Sequence, residues 1–305
     1  MAQMASAGFI KQFIYYFYKI FIIDSTLKVK DPFISVIIST YNAEEWLEKV
    51  LWGYQQQTYK NFEVVIADDG SQPPTKAKIN ECKQKVGFQI QHVWHPDNGF
   101  QKTIILNKAI EKAKGTYLVF SDGDCIPRND FLAVHNAQRA EGHFLSGGYF
   151  MLPMAISNKI SPEHIASQQC FDLNWLKGEG LASSFKNNKI SARGGLASFL
   201  NFITPTKPTW NGHNASAYKK DILAINGFDE RMQYGGEDRE MGERLMYNNI
   251  RGKQIRYSAI CVHLDHARGY VNEAAWKKNN SIRKETALQR STWTAFGIEK
   301  VTLSN

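Results

Sequence analysis

Three polar clusters each follow directly on a short apolar run, and this arrangement constrains the fold more than any other feature. Phe33-Ile34-Ser35-Val36-Ile37-Ile38-Ser39 leads into Thr40-Tyr41-Asn42. Phe62-Glu63-Val64-Val65-Ile66-Ala67 leads into Asp68-Asp69-Gly70-Ser71, and Tyr117-Leu118-Val119-Phe120 into Ser121-Asp122-Gly123-Asp124. Near-continuous, β-branched runs are what strands buried on both faces require. Between them the apolar spacing changes to three and four. Trp46, Leu47, Val50, Leu51 and Tyr54 mark a helix over 44–56, with further helices expected at 74–85 and 101–114 and a strand at 88–93. Strands alternating with helices predict an α/β fold, with a mainly parallel central sheet and helices on both faces. Ligands of such sheets bind beyond the carboxyl ends of the strands. Polar clusters at three of those ends predict one site.

After Asp130 the pattern loosens. Residues 142–208 mix Gly, Ser and Asn with short apolar runs, and read as an insertion with one or two helices. Helices return at 219–225 and 237–248, and a last strand is expected at 255–262. The division this gives is an N-terminal segment 1–30, a catalytic domain 31–270, and a basic helical tail 271–305. The domain splits at residue 130 into two halves, 31–130 and 131–270, and the second carries the insertion.

Three stretches carry chemistry. Asp122-Gly123-Asp124 closes a buried strand with two carboxylates, hard ligands suited to Mn²⁺ or Mg²⁺ on a diphosphate. In Cys261-Val262-His263-Leu264-Asp265-His266, two imidazoles three apart after a strand can converge on the same ion as Asp124. Gly235-Gly236-Glu237-Asp238 sets two acids at a helix start. The dipole there favours ionised carboxylates, so a capping role and a general-base role are both open.

Taken in order and spacing, Ile38-Ser39-Thr40-Tyr41-Asn42, Asp68-Asp69-Gly70-Ser71 and Ser121-Asp122-Gly123-Asp124 resemble family 2 glycosyltransferases of the GT-A fold. The stretch from Asn226-Gly227-Phe228-Asp229-Glu230 through Gly235-Gly236-Glu237-Asp238 to His266 is similar to the galactosyltransferase C-terminal region. That region also occurs in chondroitin-polymerase-like and polypeptide N-acetylgalactosaminyltransferase-like enzymes. The likeness covers about residues 33–270. It implies that Thr40, Tyr41, Asn42 and Asp69, helped by Asp68, hold uracil and ribose, with Asp122 towards the ribose. Glu44, Lys102, Asn107 and Gly123 join this nucleotide-binding set. Asp124, His263 and His266 would hold Mn²⁺ (or Mg²⁺), Asp238 would be the catalytic base, and Glu237 would grip a sugar, near Gly236 and Tyr234. The implied activity is inverting, metal-dependent transfer of a hexose or N-acetylhexosamine from a UDP-sugar to a carbohydrate or lipid-linked acceptor. A surface glycan such as lipopolysaccharide or capsule would be the product. Two departures stand out. The related galactosyltransferases carry a Trp near the acids, where this chain has Gln233-Tyr234. The insertion has no counterpart, so Trp175, Trp210 and His213 are sugar-contact candidates by type alone, and core packing competes for the tryptophans.

The formal charge of +8 calls for an anionic partner. No nucleic-acid signature accompanies it, so a membrane surface is preferred, with the excess concentrated after Arg239. In residues 8–23, Phe9, Phe13, Phe17 and Ile20 share a helical face while Lys11, Tyr15, Tyr18 and Lys19 cluster on another. That pattern fits a helix lying in the headgroup layer and is too short and lysine-broken to span. Four scattered cysteines without a CxxC pair fit a reducing cytoplasm, and the expected place is peripheral, on the inner face of the cell membrane. The sequon Asn214-Ala215-Ser216 carries little weight by itself. A nucleotidyltransferase would show a Gly-rich basic loop after the first strand, and a P-loop NTPase GxxxxGK[ST]; neither is present. The nucleotidyltransferase and a non-catalytic membrane-associated scaffold of the same fold remain the rivals.

Overall fold

A computed structural model describes residues 31–266 and 273–300; the expected N-terminal membrane helix lies outside the described residues. The strands are β1 (Ile34–Thr40), β2 (Phe62–Asp68), β3 (Gln89–Trp94), β4 (Tyr117–Asp122), β5 (Cys125–Pro127), β6 (His143–Ser146), β7 (Gly148–Met151), β8 (Ala215–Tyr218), β9 (Arg251–Gln254) and β10 (Ile260–His263). The helices are α1 (Glu44–Gln55), α2 (Pro73–Lys85), α3 (Lys102–Lys112), α4 (Phe131–Gln138), α5 (Met154–Lys159), α6 (Pro162–Ala166), α7 (Leu173–Gly178), α8 (Asn188–Ser191), α9 (Gly194–Ile203), α10 (Lys219–Ala224), α11 (Glu237–Tyr247) and α12 (Glu273–Gln289).

Seven strands form one sheet in the order β3-β2-β1-β4-β8-β6-β9, and β5, β10 and β7 form a second. The pairs from β3 to β4 are parallel, whereas β8 runs antiparallel to both β4 and β6. The fold is therefore α/β with a mixed, mostly parallel central sheet. Side chains alternate across it with period two. Ile34, Val36, Ile38, Val64, Ile66, Tyr117 and Val119 pack on one face with Leu47, Val50 and Leu51 of α1. Ile37, Val65, Ala67, Leu118 and Phe120 pack on the other with Ile105, Ala109 and Ile110 of α3. Burial on both faces is why these strands read as unbroken apolar runs.

The second half departs from expectation. Residues 143–151 belong to the two sheets as β6 and β7, so the excursion begins only after Met151. Of the strand expected at 255–262 only 260–262 is extended, within β10; 255–259 form a turn in which Ser258 N and Ala259 N donate to Ile255 O, and the unexpected β9 precedes it. The helix of the supposed tail, α12, packs on α11: Thr286 Oγ1 donates to Glu240 (3.0 Å), and Arg283 pairs with Glu243 (2.5 Å). Beyond it, Asn226 donates to the carbonyls of Thr294 and Glu299.

The two sheets share a buried relay of hydrogen bonds. Asn214 Oδ1 can only accept, so His135 Nε2 carries the proton (3.0 Å), and His135 Nδ1 accepts from Ser216 (2.7 Å). Ser216 in turn accepts from Tyr117 (2.8 Å), while Asn214 Nδ2 donates to Gly148 and Ala259. Among the described residues, no helix is long and apolar enough to cross a membrane.

Candidate active site

The carboxyl ends of β1, β2 and β4 open into a cleft of about 1010 Å³. Thr40, Tyr41 and Asn42 continue β1 along its wall, with Trp46 and Glu44 from the start of α1. Asn42 adopts a left-handed backbone (φ 45°), in which its Oδ1 accepts from Gln72 N (2.8 Å). Asp69 is held on both oxygens: Gln101 N donates to Oδ2 (3.0 Å), and His95 Nε2 meets Oδ1 (2.8 Å). Lys108 donates to His95 Nδ1 (3.2 Å), so Nε2 must carry the ring proton and give it to Asp69. Burial raises the Asp69 carboxyl above its ordinary range, against the pull of His95. Thr40 Oγ1, buried at the wall, has no hydrogen-bond partner among the described residues.

Between Asp122 and Asp124, a Cβ on Gly123 would lie 3.0 Å from Ser39 O and 3.1 Å from Thr40 Oγ1, tighter than most Cβ contacts. The spacer is a glycine because β1 passes directly beneath it. Asp122 turns inward, accepting from Ser39 Oγ (2.7 Å) and pairing with Lys102 Nζ (2.9 Å). Burial opposes its charge, but Lys102 and Ser39 outweigh burial and hold it at about 2. Asp124 points the other way, towards His266 Nε2 (2.9 Å) and His263 Nε2 (3.5 Å). Leu264 N donates to Asp124 O and fixes the end of β10 here. Ligand atoms of Asp124, His263 and His266 lie within 4.8 Å of one another. His263 Nδ1 lies 2.7 Å from Leu264 O, an acceptor, so Nδ1 is protonated and the Nε2 lone pair faces the carboxylate. One carboxylate and two imidazoles fit a first-row divalent ion such as Mn²⁺ better than Mg²⁺, which prefers oxygen alone.

The third wall is the start of α11. Asp238 Oδ2 accepts from Gly212 N (2.8 Å), while its Oδ1 is buried and unpartnered. Burial, with the negative charge of Asp122, raises the Asp238 carboxyl although Lys102 lowers it. Glu237 accepts from Gly235 N (2.7 Å) and is pushed up to about 7 by burial and by Asp238. Burial would discharge Lys102, yet Asp122, Asp238 and Glu237 more than offset it and keep the ammonium charged. Burial holds the His213 imidazole down at about 4.

Comparison with known proteins fits these walls. The profile described as "Glycosyl transferase family 2" matches residues 35–138, and that described as "N-terminal domain of galactosyltransferase" matches residues 204–267. The chain carries a glycosyltransferase family 2 domain followed by a galactosyltransferase-type region. The chain is 26% identical to the hyaluronan synthase of Pasteurella multocida over 82% of its own length and 26% of that one. It is 34% identical to the glycosyltransferase AglE of Haloferax volcanii over 33% of each. The chain thus spans about a quarter to a third of these relatives' length. Among solved structures it resembles the mannosyltransferase PcManGT of Pyrobaculum calidifontis in complex with GDP-Man and Mn²⁺ (TM-score 0.55, 18% identity, 93% of this chain and 74% of that one). It also resembles GalNAc-T7 with UDP, GalNAc and Mn²⁺ (TM-score 0.59, 14% identity, 85% and 48%). These likenesses identify the fold as GT-A.

Of the residues singled out from the transferase's sequence, Thr40, Tyr41, Asn42, Glu44, Asp69, Lys102, Asp122, Gly123, Asp124, His213, Tyr234, Glu237, Asp238, His263 and His266 line the one cleft. Four do not. Asp68 is fully buried behind Asp69, bonded to Ser71 N and His92. Asn107 faces away from the cleft and ties α3 to Phe228 and Glu230. Trp210 is 1% exposed and packs edge-on against Phe120 in the core. Gly236 caps α11 with φ 94° and faces Arg283. Trp175 stacks on His164, outside the cleft lining. Sequence reasoning missed Asp97, which accepts from Tyr41 (2.9 Å), and Tyr149, whose ring meets His213 and His263. Neither stands in a motif; each arrives through a neighbour that does.

Proposed function

We propose that this transferase moves a hexose or N-acetylhexosamine from a UDP-sugar to a carbohydrate acceptor, with inversion at the anomeric carbon. The observation that carries this reading is Asp238. It lines the cleft, Gly212 N anchors its Oδ2, and its buried Oδ1 has no hydrogen-bond partner among the described residues. Such an oxygen is placed to accept the proton of an attacking hydroxyl as that hydroxyl bonds to the anomeric carbon and the bond to UDP breaks. Asp124, His263 and His266 would hold Mn²⁺, which supplies charge neutralisation for a diphosphate leaving group. Thr40, Tyr41, Asn42 and Asp69 bind the nucleoside in this reading. Lys102 keeps its charge beside Asp122 and screens the acids from one another. Glu237, raised to about 7 and so about half protonated at neutrality, is able in its protonated form to donate a hydrogen bond to a sugar hydroxyl. UDP is preferred over other nucleotides because related structures hold UDP or UDP-GlcNAc. Hyaluronan synthase and a teichuronic acid biosynthesis glycosyltransferase among the relatives favour a polysaccharide acceptor.

Calorimetry of UDP binding, with and without Mn²⁺, tests the reading. Wild type is expected to bind UDP more tightly with Mn²⁺, and Asp124→Ala to lose that gain. Absence of UDP binding under both conditions, with GDP bound instead or no nucleotide bound, would sink it.

A further inference from the structure

The excursion between β7 and β8 ends in α9, whose two faces differ sharply. Ala197 and Leu200 are buried against Tyr257, and Asn201 fastens the helix by accepting from Tyr257 N (2.8 Å) and donating to Ser258 Oγ (2.8 Å). On the outer side Leu196, Phe199, Phe202 and Ile203 are all exposed, Phe202 to 87%. A rigidly attached ten-residue helix that shows four large apolar side chains to water incurs a cost that only a partner offsets.

The charge pattern identifies the partner. From Gly180 to Lys220 the sequence contains no Asp or Glu, although Lys and Arg occur at 186, 189, 193, 207, 219 and 220. Lys186, Arg193 and Lys207, which flank α9 along the chain, are exposed. A second copy of the chain would set this acid-free region against itself, which like charge opposes. A protruding apolar helix face amid basic residues fits a bilayer.

We propose that α9 is an interfacial helix that docks the protein on a bilayer carrying anionic headgroups. Leu196, Phe199, Phe202 and Ile203 enter the acyl boundary, and Lys186, Arg193 and Lys207 lie among the headgroups. This surface does not depend on which sugar is transferred.

The test is site-specific. All four native cysteines are buried, so Phe202→Cys in the full chain takes a polarity-sensitive thiol fluorophore selectively. Emission is expected to shift to the blue with mixed phosphatidylglycerol–phosphatidylcholine vesicles and far less with phosphatidylcholine alone. Added salt should weaken the response. Adding Leu196→Asp and Phe199→Asp should lower vesicle affinity roughly tenfold or more while leaving the urea midpoint near that of the labelled parent. Three results would overturn the proposal: an unshifted label on protein that still sediments with anionic vesicles, a blue shift that follows protein concentration without lipid, and an emission already blue before lipid is added. The second would mean pairing of copies and the third cover by another part of the chain.

Discussion

Asp238 and Glu237 are adjacent in sequence and share one wall of the cleft, so their protons are coupled to each other and to Lys102. Burial and Asp122 raise the Asp238 carboxyl, and a base acts only when deprotonated. The acid limb of kcat/KM is therefore expected above the ordinary carboxylate range. Lys102→Met, which removes the cation that lowers Asp238, should move that limb to still higher pH; a limb left in place or shifted down would refute the coupling. Asp238→Asn should cut kcat by about 10²–10⁴ with UDP affinity little changed, as read by steady-state kinetics beside calorimetry. The residues legible in the sequence were those at strand ends, because strand direction alone carries Asp69, Asp122 and Asp124 to one edge. The depth of a side chain is not written locally. Trp210 and Asn107 have the chemistry of sugar and nucleotide contacts, and only packing against Phe120 and the 228–230 turn reveals their work.

The start of α11 is built by a loop that the C-terminal helix holds. Gly235 and Gly236 have φ of 105° and 94°, and a Cβ on Gly235 would lie 2.7 Å from the indole of Trp276. Asn279 of α12 donates to the carbonyls of Gln233, Tyr234 and Gly235. Gly235→Ala should lower stability by about 1–3 kcal/mol, measured from the urea midpoint, through strained backbone and the displaced indole. Asn279→Ala should lower kcat with little effect on UDP affinity, since it loosens the loop before Glu237 and leaves β1 and β2 untouched; equal losses in both would show that the clamp supports the whole cleft. This dependence was invisible in the sequence, where residues from 271 read as a tail. The elements that were legible, β1, β2 and β4 with α1 and α3, are long enough to display a period. Strands such as β5, β6 and β8 have three or four residues, too few for alternation to rise above the Gly- and Ser-rich background.

Across the molecule, the relay from Tyr117 through Ser216 and His135 to Asn214 joins the two sheets and requires a neutral imidazole. Burial lowers His135 to about 4 from the ordinary 6.5, so its contribution to stability is complete above 6.5 and is lost as pH falls towards 4. Glu237, raised to about 7 from 4.5, contributes with the opposite sign: its share is full below 4.5 and is lost as pH rises through 7. Unfolding midpoints followed from pH 4 to 7 should therefore fall less steeply on the acid side in His135→Gln than in wild type. Glu237→Gln should differ from wild type in the reverse sense. Identical profiles for wild type and His135→Gln would mean that the ring is not held neutral. The same relay settles the fate of the Asn214-Ala215-Ser216 triplet. Asn214 is fully buried, and both protons of its amide are committed to Gly148 and Ala259. A glycan on that nitrogen has no room in the folded chain. In a eukaryotic secretory host, oligosaccharide attached to the nascent polypeptide at Asn214 would lock the two sheets apart, so product from such a host would be either bare at this position or misfolded.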